Sequence, residues 1–210
     1  MPARTLQRNT KRYKTIFEEI IRGIYRLKIP FDTVYTSVFL VLTEEGAVLV
    51  DCATTDEDVD MRLLPALQAM GREPSDLTFI VVTHDHGDHA GGLARILHHA
   101  PHAEVVTIAR PLLGGLEAYP LYGHTNGMIG LFDARTGTLI SGDGLQGAGV
   151  DKFRCYAENK QAYWDTLQRI RDDGRIINLV FSHAYEPWFE DCVFGRDAVL
   201  KALEECKKYM

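Results

Sequence analysis

Cysteine is scarce and scattered: Cys52, Cys155, Cys192 and Cys206 are the four in 210 residues, and no two form a CxxC pair. That spacing excludes a zinc ribbon, leaves no disulfide framework to read, and favours free thiols in a reducing cytoplasm. No stretch approaches the roughly 18 uncharged apolar residues that would span a bilayer, so no membrane association is expected. Positive charge is outweighed, with 23 basic side chains against 29 acidic ones for a net charge of -6, which argues against nucleic acid as a partner. The first fourteen residues carry Arg4, Arg8, Lys11, Arg12 and Lys14 without an acid and without the apolar core of a signal peptide. Residues 1–14 therefore read as a flexible, solvated arm. There is no internal repeat and no low-complexity segment. What is present, 46% hydrophobic residues in a chain of this length, is enough to bury one substantial core, and residues 1–210 read as a single domain.

Apolar periodicity gives the order of elements. Tyr25, Leu27 and Ile29 alternate with Ile24, Arg26 and Lys28 and predict a half-buried strand ending at Pro30. Residues 38–42 and 47–50 flank Glu44-Glu45-Gly46 as a hairpin, and Asp51 closes its second strand. Thr55 and Asp58 make a capping-box pattern ahead of the stripe Val59, Leu63, Leu67 and Met70, which Gly71 stops. Pro65 inside that stripe predicts a kink or a late helix start. Further strands are expected at 78–82, 104–108, 128–133, 138–142 and 176–181, and helices after residue 92, near 158–172 and near 195–208. Mixed strands and helices in this order predict layered sheets with helices outside.

Three of the eight histidines fall within six residues, in Thr83-His84-Asp85-His86-Gly87-Asp88-His89, after the apolar run Phe79-Ile80-Val81-Val82 and before Ala90-Gly91-Gly92. Side chains at this spacing cannot share one helical face but can converge from a tight loop, and such a loop can serve two metal ions. Neutral imidazole and ionised carboxylate suit zinc and its first-row neighbours, whereas calcium and magnesium sites use oxygen almost exclusively. Four ligands are too few for two ions, so others must arrive from distant strand ends. Three candidates stand there: His124 after Gly123, Asp143 between Gly142 and Gly144, and His183 after Phe181-Ser182. Singly, each has an ordinary structural explanation as turn chemistry or a hydrogen-bonded histidine; together, following the histidine loop, they read as one ligand set. His98, His99 and His102 read instead as cations at a helix C-terminus, Asp85 as a solvated carboxylate, and Cys52 as a small buried hydrophobe.

These motifs, an Asp ending an early strand, HxHxDH, Gly-His-Thr, a Gly-Asp after a strand and a last His, resemble the metallo-β-lactamase superfamily over about residues 24–190. The resemblance implies an α/β (α+β) fold, a four-layer αβ/βα sandwich of two mixed β-sheets with helices on the outer faces, and a two-metal site at one edge. Under it, His84, His86 and His124 would hold the first metal, Asp88, His89 and His183 the second, and Asp143 would bridge them. Asp51 would orient a ligand imidazole through its free ring N–H. The implied cofactors are two divalent metal ions, zinc first, with iron or manganese accepted by the same side chains. True zinc β-lactamases of this family place a cysteine where this chain has Asp143, so antibiotic hydrolysis is not expected. Glyoxalase II-like thioesterases share the Asp but append a helical domain, whereas only residues 184–210 follow His183 here. Lactonase-like members carry a Tyr where Leu145 and Gln146 stand.

The activity this implies is dinuclear-metal-dependent hydrolysis, in which a metal-bridging hydroxide cleaves an ester, thioester, lactone or phosphoester bond of a small-molecule substrate. Asp143 and Asp88 are the catalytic carboxylates of that scheme, Asp88 helping to position the nucleophile or to pass a proton to the leaving group. Loop 144–157, which contains Lys152 and Arg154, either lines the substrate mouth with Tyr185 and Trp188 or is a connector without substrate contacts. Two rival readings use the same residues. One is a mononuclear non-heme iron oxidoreductase of the sulfur dioxygenase kind. The other is a non-catalytic ligand-binding or sensor module, whose mark would be a missing ligand. A cytoplasmic location is expected, and oligomeric state is not legible.

Overall fold

The computed structural model describes residues 13–31, 34–147, 156–185, 187 and 189–208. Twelve strands among them make two six-stranded sheets. The first contains, in both spatial and chain order, β1 (Glu18–Ile21), β2 (Ile24–Phe31), β3 (Val34–Leu42), β4 (Ala47–Val50), β5 (Leu77–Val81) and β6 (Glu104–Val106). The second is built from β7 (Arg110–Pro111), β8 (Leu116–Pro120), β9 (Ile129–Asp133), β10 (Thr138–Ile140), β11 (Asn178–Val180) and β12 (Cys192–Phe194), again adjacent in chain order. β4, β5 and β6 run parallel, as do β10 and β11; the other pairs are antiparallel.

The layering follows from which face each side chain takes. On β3, Val38 and Leu40 join a core with Val59, Leu63, Leu67 and Ile96 of the first sheet's helices. Their neighbours Phe39 and Val41 point the other way, into a core shared with Ile129, Leu131 and Val180 of the second sheet. A strand buried on both faces reads as an unbroken apolar run, which is what residues 38–42 are. On the far side Phe132, Leu139 and Leu179 pack against Tyr163, Leu167, Ile170, Val199 and Leu203, the apolar stripes of α5 (Lys160–Asp172) and α6 (Arg196–Lys208). Helix, sheet, sheet, helix is the resulting order, the sandwich expected from the sequence.

Local departures have identifiable causes. The stripe around Pro65 begins as α1 (Asp56–Asp58), capped by Thr55, whose hydroxyl accepts from Asp58 N at 3.1 Å and donates to Asp58 Oδ2 at 2.8 Å. It widens into a π turn, Val59–Leu63, before resuming as α2 (Leu64–Ala69) with Pro65 in its first turn. The wider turn accommodates a residue that has no N–H to give to the preceding α-helical ladder. β2 runs one residue past Pro30: β1 reaches only as far as Arg26, and among the described residues no second strand pairs with β2 there to need the missing N–H. β3 begins at Val34 rather than 38: Thr36 and Ser37 look polar in sequence yet are fully buried. β1, β7, β8 and β12 were not legible, being short or, in β7 and β8, containing Pro111 and Pro120. Of the arm, only Tyr13 and Lys14 are among the described residues; Tyr13 packs edge-on against Tyr35, ring centroids 5.1 Å apart.

Candidate metal centre

Parallel strands bring their C-terminal ends to one edge of a sheet, and loops leaving those ends share one rim. β4 ends in Asp51, β5 in the histidine loop, β10 in Asp143 and β11 in His183; the β8–β9 connection adds His124 at the same edge. Within the histidine loop, α3 (Gly87–Ala90) starts at once and turns Asp88 and His89 inward, while α4 (Leu93–His99) follows beyond Gly92. Glycine is required where these loops touch. A Cβ on Gly92 would lie 2.1 Å from the Cys52 carbonyl, and one on Gly123, at φ +131, would lie 2.4 Å from the Cα of Tyr163.

All seven sequence-predicted ligands converge. Three sets of ligand atoms lie within 4.8 Å of one another: His84, His86 and His124; His84, His89 and Asp143; and Asp88, His89 and His183. His89 Nε2 stands 3.3 Å from both Asp88 Oδ2 and Asp143 Oδ1. His183 Nε2 is 3.3 Å from Asp88 Oδ2 and 3.1 Å from Asp143 Oδ1, and His124 Nε2 is 3.2 Å from His86 Nδ1. A cation with ligand atoms at about 2.0–2.1 Å in a tetrahedron separates them by about 3.3 Å.

The outer face of each ring fixes its tautomer. His183 Nδ1 donates to the Tyr35 carbonyl at 2.7 Å, His124 Nδ1 to the Tyr156 carbonyl at 2.8 Å, and His89 Nδ1 to Asp51 Oδ2 at 2.7 Å. Each acceptor can only accept, so Nδ1 carries the proton and Nε2 presents a lone pair inward. His84 follows the same rule. The Thr83 hydroxyl gives its proton to Asp51 and therefore accepts from His84 Nδ1 at 3.0 Å. Asp51, fully buried at φ 63, also accepts from Thr83 N at 2.8 Å.

The buried inner atoms His84 Nε2, His89 Nε2 and Asp143 Oδ1 have no hydrogen-bond partner. Orphaned buried polar atoms are costly, and three at one point, all with lone pairs to share, fit metal ions. The electrostatics agree. Burial, reinforced by the charge at His89, pushes His84 down to about 2. Burial also works against charge on His89 and His183, yet the Asp143 carboxylate outweighs it, raising His89 and bringing His183 up to about 10. Asp143, which burial would raise, is held well below the usual carboxylate range by His183 and His89.

Several other expectations can be placed. Asp51 reaches His89, as the resemblance implied. Asp85 is exposed, Cys52 is buried in the core, and His98 and His99 occupy the last turn of α4; among the described residues they join no ligand group. Tyr185 is buried rather than at a mouth, its hydroxyl donating to Gln146, and Leu145 packs beneath α5. Residues 148–155, with Lys152 and Arg154, and Trp188 lie outside the described residues. Sequence reasoning missed Thr83 as a link between Asp51 and His84, although a Thr ahead of the first His was visible. It also missed Tyr156, an exposed ring 5.8 Å from His124 and 6.5 Å from His86, and Phe31, 6.3 Å from His183. The carbonyls of Tyr35 and Tyr156 carry no side-chain signature at all.

A sequence model of the metallo-beta-lactamase superfamily matches residues 31–109. The protein YobT of Bacillus subtilis is 27% identical, over 54% of this chain and 70% of its own length. A hydroxyacylglutathione hydrolase of Vibrio cholerae is 28% identical, over 71% of this chain and 68% of its own. In structure, the metallo-β-lactamase FIM-1 of Pseudomonas aeruginosa, solved in a mono-zinc form, superimposes with a TM-score of 0.68 at 18% identity, over 91% of this chain and 94% of that one. Over residues 31–109 the chain thus resembles the metallo-β-lactamase superfamily, its two-sheet sandwich is the fold of metallo-β-lactamases, and with the histidine–aspartate groups described above these likenesses support a metal-dependent hydrolase.

Proposed function

We propose that the protein is a binuclear-metal hydrolase acting on a thioester or related ester of a small molecule. One observation carries the reading: seven side chains from four separate loops converge in three overlapping groups, and three of their atoms are buried without any other partner. His84, His86 and His124 would hold one ion, Asp88, His89 and His183 the other, with Asp143 between them. Zinc suits this donor set, and iron or manganese would be accepted. Two such cations, when bound, supply Lewis acidity that polarises the scissile carbonyl and brings a shared water toward ionisation near neutral pH.

The protein's own groups do the rest. Asp51, Thr83 and the carbonyls of Tyr35 and Tyr156 lock four rings in the ligating tautomer. Asp143 is kept ionised, so it offers both oxygens. Asp88, beside both His89 and His183, would help to position the nucleophile or pass a proton to the leaving group. The thioester preference is drawn from the hydroxyacylglutathione hydrolase relatives, and Asp143 in place of the β-lactamase cysteine sets the reading apart from antibiotic hydrolysis.

Metal content by mass, followed by hydrolysis assays on thioesters, lactones and phosphoesters, tests this. Wild type is expected to carry two ions and to hydrolyse at least one class; Asp143→Ala should lose about 10²-fold or more, the scale of removing one preorganised electrostatic group. Equal rates in the two proteins would place the activity elsewhere. A coloured protein with one iron and oxygen uptake would replace this reading with the sulfur dioxygenase one.

A further inference from the structure

Three successive residues at the strand end that delivers His183 are each tied to the opposite sheet. Arg26 Nη2 donates to the Phe181 carbonyl at 3.2 Å, Ser37 Oγ donates to the Ser182 carbonyl at 2.7 Å, and His183 Nδ1 donates to the Tyr35 carbonyl at 2.7 Å. Arg26 is on β2, and Tyr35 and Ser37 are on β3, two residues apart and so on one face. Asp191, just before β12, closes the set. Its carboxylate takes Arg26 Nη1 at 2.5 Å, Lys28 Nζ at 2.9 Å and the Tyr35 hydroxyl at 2.8 Å. Its carbonyl takes Arg26 Nη2 at 2.6 Å and the Phe181 amide at 3.0 Å.

Cohesion between the sheets does not require this. An apolar cluster already joins the two sheets, and burying a charged group such as Arg26, 4% exposed, carries a desolvation penalty that a well-packed hydrophobic pair avoids. What directional polar contacts add is registry. Registry matters here because the histidine loop comes from β5 in one sheet and His183 from β11 in the other. A ligand constellation has to be held to about 0.5 Å, and the sheet interface is where the two halves could slide.

We propose that Arg26, Ser37, Tyr35 and Asp191 form an inter-sheet clamp that sets His183 in register for the second cation. They are positioning residues, acting through His183 and its neighbours. The inference rests on the binuclear reading, and the experiment separates the two. Zinc is titrated into the metal-free full-length chain against a chromophoric chelator, and bound ions are counted by native mass measurement. Wild type is expected to take two ions. Ser37→Ala and Tyr35→Phe remove contacts one step behind His183 and should weaken the second ion about tenfold, the lower end of what loss of a ligand's direct outer partner costs, with the first ion bound as in wild type. A core truncation among the helices outside the first sheet, Leu67→Ala, lowers the melting temperature without changing the ratio of the two affinities. That ratio is the readout a purely structural role would not move. Should Ser37→Ala fail to fold, Tyr35→Phe, which removes a single oxygen, gives the answer. Two ions in wild type and unchanged affinities in both variants overturn the clamp alone; one ion in wild type overturns the binuclear reading and the clamp with it.

Discussion

Asp51→Asn isolates one electrostatic contribution to the metal centre. The substitution keeps the shape of the side chain, and Asn tolerates the left-handed backbone at φ 63 at least as well as Asp, so neither packing nor strain changes. What changes is acceptor capacity. Asp51 accepts from Thr83 N at 2.8 Å, from the Thr83 hydroxyl at 2.9 Å and from His89 Nδ1 at 2.7 Å. An amide has one oxygen and one NH2, so if its oxygen stays with Thr83 its NH2 faces the N–H of His89. Two opposed donors force the ring to its other tautomer, with the proton on Nε2, the atom that faces Asp88 and Asp143. A hydrogen bond to a charged group contributes about 1.5–3 kcal/mol, which at about 1.4 kcal/mol per decade is roughly 10- to 100-fold in affinity, the same range found for outer partners of metal ligands. Zinc titration of the metal-free protein, with circular dichroism to verify the fold, measures it. The ion that uses His89 should weaken by that factor while the His84, His86 and His124 set holds its ion nearly as before. If Asp51→Asn binds both ions as tightly as wild type, Asp51 does not set the His89 tautomer and the reasoning fails.

Chelation of bound metal should lower the melting temperature: an ion present at 1,000 times its Kd contributes about 4.1 kcal/mol, or roughly 8–16 °C for a chain of this size, and calorimetry without a shift would count against any metal site. Burial would raise the Asp191 carboxyl, but Arg26, then Lys28 and Tyr35, outweigh it and hold the group well below its usual range. A depressed folded value contributes stability above about pH 4 that is lost as pH falls through the folded value. Urea unfolding of metal-free protein should therefore find Asp191→Asn about 3–5 kcal/mol less stable than wild type at pH 7, with the gap narrowing below about pH 4; a gap constant down to pH 2 would refute the pairing. Gly123→Ala introduces a Cβ 2.4 Å from Tyr163; about 1–3 kcal/mol of overpacking and a lower metal content are expected from the displaced His124 turn, and an unchanged melting temperature would refute the close approach.

Much of the site was legible because its chemistry needs particular side chains at particular strand ends. Imidazoles and carboxylates beside Gly, after apolar runs such as residues 79–82, can be recognised without coordinates, and so could the side chains His84, His86, Asp88, His89, His124, Asp143 and His183 that the fold brings together. Layered sheets with helices outside followed from the mixed order of strands and helices, and the four-layer sandwich was what the family resemblance implied. Illegible were the contacts made by groups every residue has. The carbonyls of Tyr35 and Tyr156 orient two ligands, yet nothing in their side chains announces it. Thr36 and Ser37 fell outside the strand expected from residue 38 because they are polar, and the polarity of Ser37 is satisfied only across the fold, by the Ser182 carbonyl.

The linear order of residues, then, determined which atoms can bind metal and which faces must be buried, since these depend on side-chain chemistry and on periods of two and 3.6 residues. Tertiary structure alone decided that β2 and β3 of one sheet grip the end of β11 in the other through Arg26, Ser37 and Asp191. The reason is physical: those partners lie 145 to 165 positions apart along the chain, and a hydrogen bond has no sequence signature until the fold brings its two ends within 3 Å or so of each other.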